Sequence, residues 1–468
     1  MTATRKFWTM ASLLLVLVIA LAACAPAQPA AAPTTAPAAA PTEAPAAAPT
    51  EAPAASSSFL DRAKSGEFKG TEVTVLGGMV DAEAVKFRES MKPFEEATGI
   101  TVQYEGTKEF EPQVSVRIQA DDPPDVIDFP QPGFLANFVA NDKVIDVSTF
   151  LDMEKLKANY IPSWLDMATM PGKDGQDIMA GVWHRAAAKS MVWYPKKAFD
   201  AAGYTVPTTW DELIALQDKI KADGDTPWCI GIESGAATGW AATDWIEDLM
   251  LRTTSLENYD KWVKGELKFD SPEVKKAVQT MADIWLDDAN VNGGVKSIVT
   301  TFFGDAPVPM FANPPKCWLH RQGNFITSFF GDGPVAGTDY DFFYLPPIGT
   351  ELGKPVLVAG DIWAAFTEKP EALALLEWYT KGEHLKPWMA AGGAIAPHKD
   401  ADLAWYGSDI ERKVGQIIQE ATAVRFDASD LMPGQVGAGS FWKEITSFIS
   451  GSQDLDTTMK NIDATFPQ

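Results

Sequence analysis

Between Gly70 and Phe129 the hydrophobic period changes repeatedly from two to about 3.6, and that alternation restricts the chain to an open α/β sheet. Val73 and Val75 mark one face of a strand over Glu72–Leu76. Ala84, Phe87, Met91 and Phe94 recur at helical spacing until Thr98-Gly99 stops the helix. Ile100–Tyr104 reads as a second strand, Phe110–Ala120 as a second helix, and Val126–Phe129 as a third strand. A βαβαβ opening of this kind gathers ligands beyond the carboxyl ends of its strands, so the loops after Leu76 and Phe129 face one crevice.

Further elements repeat the theme. Lys189–Tyr194 reads as the next clear strand. Thr209-Trp-Asp-Glu212 has the form of a capping box, and Ser271-Pro272-Glu273 gives a cap, a first-turn proline and an acid at the positive helix end. Val274, Ala277, Val278, Met281 and Trp285 predict that helix's buried stripe. Tyr340–Leu345 and Pro355–Ala359 predict a second α/β set, followed by a helix from Pro370 and by helices near Phe441–Ser450 and Asp454–Ala464. The pattern predicts an α/β chain of two lobes.

The amino terminus is of another kind. Arg5 and Lys6 precede an apolar run from Ala11 to Ala20, too short to span a bilayer but suited to an export signal. Ala22-Ala23-Cys24 then resembles a bacterial lipobox, which implies residues 1–24 as a lipoprotein signal with Cys24 lipidated; an ordinary signal peptide with a chance cysteine is the alternative. Residues 25–58 are rich in Pro and Ala, with proline at every fourth position from Pro29 to Pro53. Such spacing favours polyproline II and a semi-stiff tether on the order of 100 Å long. An exported chain meets oxidising conditions, so Cys229 and Cys317 read as one disulfide across roughly 88 residues, worth ~4–5 kcal/mol; two buried thiols are the alternative.

Composition narrows the chemistry. With 39 Lys+Arg against 63 Asp+Glu the chain carries −24, which argues against nucleic acid and against a polybasic membrane surface. No P-loop and no Gly-x-Ser-x-Gly elbow occurs, and the four histidines (His184, His320, His384, His398) are scattered without metal-ligand spacing. No metal and no cofactor is expected. The 16 Trp are the positive signal. A sugar ring packs its C–H face on an aromatic face while its hydroxyls need fixed donors and acceptors. Trp183, Trp193, Trp228, Trp240, Trp245, Trp318, Trp363 and Trp442 stand near glycines, strand ends or helix starts, whereas Trp262, Trp285 and Trp378 read as packing residues.

Several segments resemble one family. PDVIDF (Pro124–Phe129) followed by PQPG (Pro130–Gly133), SMVWYPKKAF from Ser190, VLVAGD (Val356–Asp361) with IWAAF behind it, and LMPG with SFWK (Leu431–Lys443) are similar to the extracellular solute-binding proteins of bacterial ABC transporters, family 1, the carbohydrate-binding group. PWCIGIESGAATGW and ATDWIED (residues 227–248) with KCWLHRQ (Lys316–Gln322) resemble the α-glucoside-binding subgroup, in which Cys229 and Cys317 would be the bonded pair. Where maltodextrin binders carry an aromatic and an acid after the third strand, this chain has Phe129 and Pro132. The resemblance implies a periplasmic-binding-protein-like fold: an N-terminal lobe of residues 59–194 plus 359–396, a C-terminal lobe of 195–358 plus 397–468, and a ligand cleft between them.

On this resemblance Trp240, Trp245, Trp363 and Trp442 are expected to stack on a sugar, with Gln131, Asp244, Asp361 and Arg321 hydrogen-bonding its hydroxyls. The expected role is capture, not catalysis: a lipid-anchored, exported binding protein, monomeric, delivering an α-glucoside or related oligosaccharide to a membrane permease. A secreted lipoprotein glycoside hydrolase, or a binder of a cationic or peptide solute, is the rival reading, since acids and Trp also suit cations.

Overall fold

The computed structural model describes residues 58–467 apart from 161 and 350, so Cys24, the export signal and nearly all of the Pro/Ala-rich tether lie outside the described residues. The opening pattern folds as its periods dictate. Strands Glu72–Gly77, Thr101–Gly106 and Val126–Phe129 pair in parallel, and helices Asp81–Thr98 and Phe110–Gln119 cross between them. Gly99 ends the first helix at φ +71°, a left-handed conformation that glycine adopts most readily.

Three later strands complete this first sheet. Pro355–Ala365 runs antiparallel to Val126–Phe129 on one side and to Val182–Ala188, and parallel to Ala423–Phe426. All residues of Val182–Ala188 and Pro355–Ala365 are buried, as strands covered on both faces must be. The second lobe is built on a smaller antiparallel sheet in the order His320–Arg321, Met191–Tyr194, Asp341–Tyr344. Around it pack the helices Trp210–Ala222, Trp240–Thr253 and Pro272–Trp285, with Trp442–Ile449 and Leu455–Asp463 from the end of the chain. The Thr209/Glu212 capping box is present in both directions, and Ser271 caps the helix whose stripe Val274–Trp285 is buried. Cys229 and Cys317 are bonded, with Cα atoms 5.4 Å apart, a separation within the usual disulfide range. Among the described residues no helix is long and apolar enough to cross a membrane.

The strand pairing divides the chain at other places than the expected lobe bounds. The strand expected over Lys189–Tyr194 is interrupted at Lys189-Ser190: Val182–Ala188 belongs to the first sheet and Met191–Tyr194 to the second. Residues 397–426, expected in the C-terminal lobe, instead carry a strand of the first sheet, and Tyr406, Ile410, Val414 and Phe426 join its core. The hydrogen-bond ladder of Val356–Val358 with Val424–Phe426 holds them there. The chain therefore passes between lobes at Lys189-Ser190, again between Leu345 and Pro355, and finally at Asp427.

His184 occupies the first core without a hydrogen bond on either ring nitrogen. Its ring lies 4.5 Å from Tyr379, 4.6 Å from Trp363 and 5.4 Å from Phe87. Burial, with Arg185 and His398 adding repulsion, holds its pKa well below the usual imidazole value. The unfolded chain takes up a proton below about pH 6.5 that the folded chain refuses, so this group costs stability as pH falls through that value. In His184→Leu the loss disappears. Chemical denaturation at pH 7.5 and pH 5 should show the variant gaining on the wild type at the lower pH; an equal difference at both would contradict this assignment.

Candidate functional site

The carboxyl ends of the three parallel strands meet the second lobe at a cleft of about 960 Å³, mouth included. Gly78 and Met79 follow the first strand into it, Thr107 and Lys108 the second, Pro130 and Gln131 the third. From the second lobe come Trp240, the first residue of its helix, and Trp442, which follows a π-helical segment Gln435–Phe441. Local π-helix re-aims the residues after it, and Trp442 Nε1 donates to Ser429 Oγ at 3.2 Å. Phe303 stands edge-on to Trp240, ring centroids 4.9 Å apart.

A bulge sets the charged floor. The pairing of Pro355–Ala365 with Val182–Ala188 shifts between Asp361 and Ile362, so that Asp361 opposes Arg185 while Ile362 opposes Trp183 and His184 is the extra residue. Arg185 Nε donates to Asp361 Oδ2 at 2.5 Å and Nη1 to Glu83 Oε1 at 2.6 Å. Burial works to lower the guanidinium's pKa, but Asp361 and Glu83 more than reverse it, so the charge is fixed. Beneath them Asp128 is buried with neither carboxylate oxygen bonded. Burial first, and the Asp361 charge second, push its pKa well up.

The crossovers form the second polar group. Lys189 Nζ donates to Asp244 Oδ1 at 2.7 Å and to Asp427 Oδ2 at 2.6 Å, and it lies 5.3 Å from the Trp240 ring centre. Burial opposes the ammonium charge, and the flanking carboxylates restore and strengthen it. Burial also acts to raise Asp427, yet Lys189 brings it well below the ordinary carboxylate range. Asp244 is pushed up to about 7 by burial, with Lys189 opposing and Asp427 assisting. Asp430, on the short helix that Asp427 caps, is raised by burial and by the Asp427 charge. Asp244, Glu247 and Asp427 bring oxygens within 4.8 Å of one another, but the ammonium of Lys189 already supplies a cation there.

Four of the eight sequence-derived site residues line the cleft: Gln131, Trp240, Asp361 and Trp442. The other four do not line it. Trp245 faces the second core, ring centroids 5.1 Å from Trp228 and 5.6 Å from Trp285. Trp363 is fully buried against Phe87, His184 and Tyr379. Arg321 Nη2 donates to Asp248 Oδ2 at 2.8 Å behind the crossovers, and Asp244 is spent on Lys189. A strand or helix beside a glycine marks where a Trp begins, not which side of the element it occupies.

Sequence reasoning missed Glu83, Glu111, Arg185, Lys189, Asp427 and Asp430, all on the cleft wall. A signal existed for two of them. Arg185 and Lys189 flank an all-alanine stretch of a strand otherwise buried on both faces, where an unpaired charge would be costly. Glu111 is half-buried with its carboxylate turned inward; Gln131 Nε2 donates to its Oε1 at 3.0 Å, and burial of the carboxyl raises its pKa.

Lys189→Met would leave Asp244 and Asp427 buried without their cation, and breaking a buried pair costs ~3–5 kcal/mol. Guanidinium unfolding should show a loss of that order with unchanged cooperativity. A loss below about 1 kcal/mol would contradict the central place given to Lys189.

Residues 81–383 match the family model described as bacterial extracellular solute-binding protein. GgtB of Synechocystis sp., named an osmoprotective compounds-binding protein, is 40% identical over 404 residues, covering 86% of this chain and 94% of its own. AglE of Rhizobium meliloti, named an alpha-glucosides-binding periplasmic protein, is 40% identical over 404 residues, covering 85% of this chain and 88% of its own. Among solved structures, the bacterial solute receptor AcbH, described with an exclusive preference for β-D-galactopyranose, superposes with a TM-score of 0.73 at 19% identity, over 84% of this chain and 98% of its own.

Proposed function

Because the chain belongs to the bacterial extracellular solute-binding proteins, we propose that its cleft captures a neutral sugar, an α-glucoside or related oligosaccharide, and presents it to the permease of an ABC importer. One observation carries the sugar reading. The cleft that Trp240 and Trp442 line also holds acceptors that no donor among the described residues satisfies: Glu111 Oε2 and Gln131 Oε1 are buried without a partner. Leaving buried polar atoms unpaired is costly, and a ligand rich in hydroxyls supplies the missing donors. Asp361 and Asp430 add further acceptors along the same wall, while apolar ring faces suit the C–H face of a pyranose.

In this reading Trp240 and Trp442 stack on the sugar, Gln131, Glu111, Asp361 and Asp430 take its hydroxyls, Arg185 holds Asp361 in place, and Lys189 holds Asp427 at the start of the helix that carries Asp430. The lobes comprise residues 59–188 with 355–426, and 191–345 with 428–467, and they close about the crossovers as a hinge. Capture rather than turnover is the role, in keeping with relatives named for binding, and two of the cleft carboxylates, Asp361 and Asp427, are tied to Arg185 and Lys189. Cys24 carries the lipid, and residues 25–58 space the lobes from the outer face of the cytoplasmic membrane. AglE, named an alpha-glucosides-binding periplasmic protein, supports both the ligand class and the exported location.

Calorimetry against maltose, trehalose, sucrose, glucose and spermidine tests the proposal. At least one disaccharide should bind, with no reducing sugar released on prolonged incubation, and Trp442→Ala should weaken binding by roughly tenfold or more. Binding of spermidine without any sugar would overturn the reading, and so would hydrolysis of the disaccharide.

A further inference from the structure

One end of the cleft is bridged directly from lobe to lobe. After the strand Thr101–Gly106 the chain turns through Thr107–Glu109, and opposite it the turn Gly235–Ala237 leads toward Trp240. Ala236 N–H donates to Lys108 C=O at 3.3 Å across the gap. The Lys108 ammonium lies 3.6 Å from the ring centre of Phe302, and Phe302 packs on Phe303, centroids 4.6 Å apart, which in turn meets Trp240. Thr107, Lys108, Ser234 and Ala237 are themselves part of the cleft wall.

Gly235 makes the approach possible. Its φ is +58°, and a Cβ there would stand 2.7 Å from the Lys108 carbonyl oxygen and 3.0 Å from Glu109 Oε1. The turn is braced from its own side, with Gly235 N–H donating to Glu233 Oε1 at 2.8 Å and Thr238 Oγ1 donating to Gly235 C=O at 2.7 Å. On the first lobe Thr107 N–H donates to Gly77 C=O at 3.1 Å and Glu109 N–H to Thr107 Oγ1 at 3.1 Å. Two braced turns of this kind meet as rigid edges rather than as loose loops.

We propose that Lys108 and the Gly235–Ala237 turn form a clasp that closes this end of the cleft and makes the protein select saccharides of one or two rings over longer ones. The inference rests on the sugar reading above and adds to it a limit on chain length. A third ring leaving the cleft on this side occupies the space of the Ala236–Lys108 bond, so it is bound only with the clasp open. Opening forfeits that hydrogen bond and the contact of the ammonium with Phe302. A disaccharide leaves both in place.

The test is calorimetry on the whole exported domain with two matched pairs, maltose with maltotriose and sucrose with raffinose, for the wild type, Gly235→Ala and Lys108→Ser. Lys108 is exposed, so its variant remains informative even where Gly235→Ala fails to fold. In whichever pair binds, the wild type should prefer the disaccharide by about tenfold or more, and the variants should reduce that preference to about threefold or less. A wild type that binds the trisaccharide as tightly as the disaccharide overturns the clasp. So does a preference that both folded variants retain unchanged, and in that case the sugar reading survives. Absence of binding to every sugar removes the sugar reading, and the length limit falls with it.

Discussion

Lys189 sits where the chain first leaves the amino-terminal lobe, and its ammonium joins Asp244 of the second lobe to Asp427 at the last return. Three separate parts of the chain are thereby fixed to one buried charge. The backbone repeats the join: Lys189 N–H donates to Leu357 C=O and Asp427 N–H to Val358 C=O, each at 2.8 Å, while Ser190 Oγ accepts from Leu357 N–H and donates to Asp248. A buried ion pair contributes little net stability against an apolar substitute, but a half-broken one is severely destabilising. The crossovers are thus held in a single arrangement, and the cleft between the lobes has a defined floor.

On that floor the cleft is assembled from features that are each local. Parallel strands end together and point their following loops at one place. A bulge at His184 turns Arg185 and Asp361 toward each other. A π-helical segment sets Trp442, and Gly437 within it lies so close to Ser429 C=O that a Cβ would stand 1.7 Å away. The result is a cleft lined by two tryptophans and several acceptors, with Arg185 and Lys189 already committed to carboxylates.

Much of the fold was legible in the sequence because it is written in short-range terms. Periods of two and 3.6, the Thr209–Glu212 box and the Ser271-Pro272 start each specify an element through residues within one turn of it. The site was only half legible. Gln131, Trp240, Asp361 and Trp442 were reached through loop and helix-start positions, but the same reasoning drew in Trp245 and Trp363, which fill cores. Tryptophan is suited equally to an interior and to a sugar face, so its abundance carries no address. Arg185, Lys189 and Asp427 escaped notice because their partners lie between 55 and 238 residues away. The position of residues 397–426 was hidden for the same reason, since only the ladder to Pro355–Val358 reveals it.

The central claim is that this cleft holds a sugar between two tryptophans and a row of unsatisfied acceptors. A crystal structure of the protein grown with the disaccharide that binds most tightly tests it directly. The account predicts a pyranose ring against Trp240 or Trp442, with its hydroxyls within hydrogen-bond distance of Glu111, Gln131, Asp361 or Asp430. A disaccharide seated elsewhere, or one in this cleft that leaves both tryptophans and all four acceptors untouched, would contradict it.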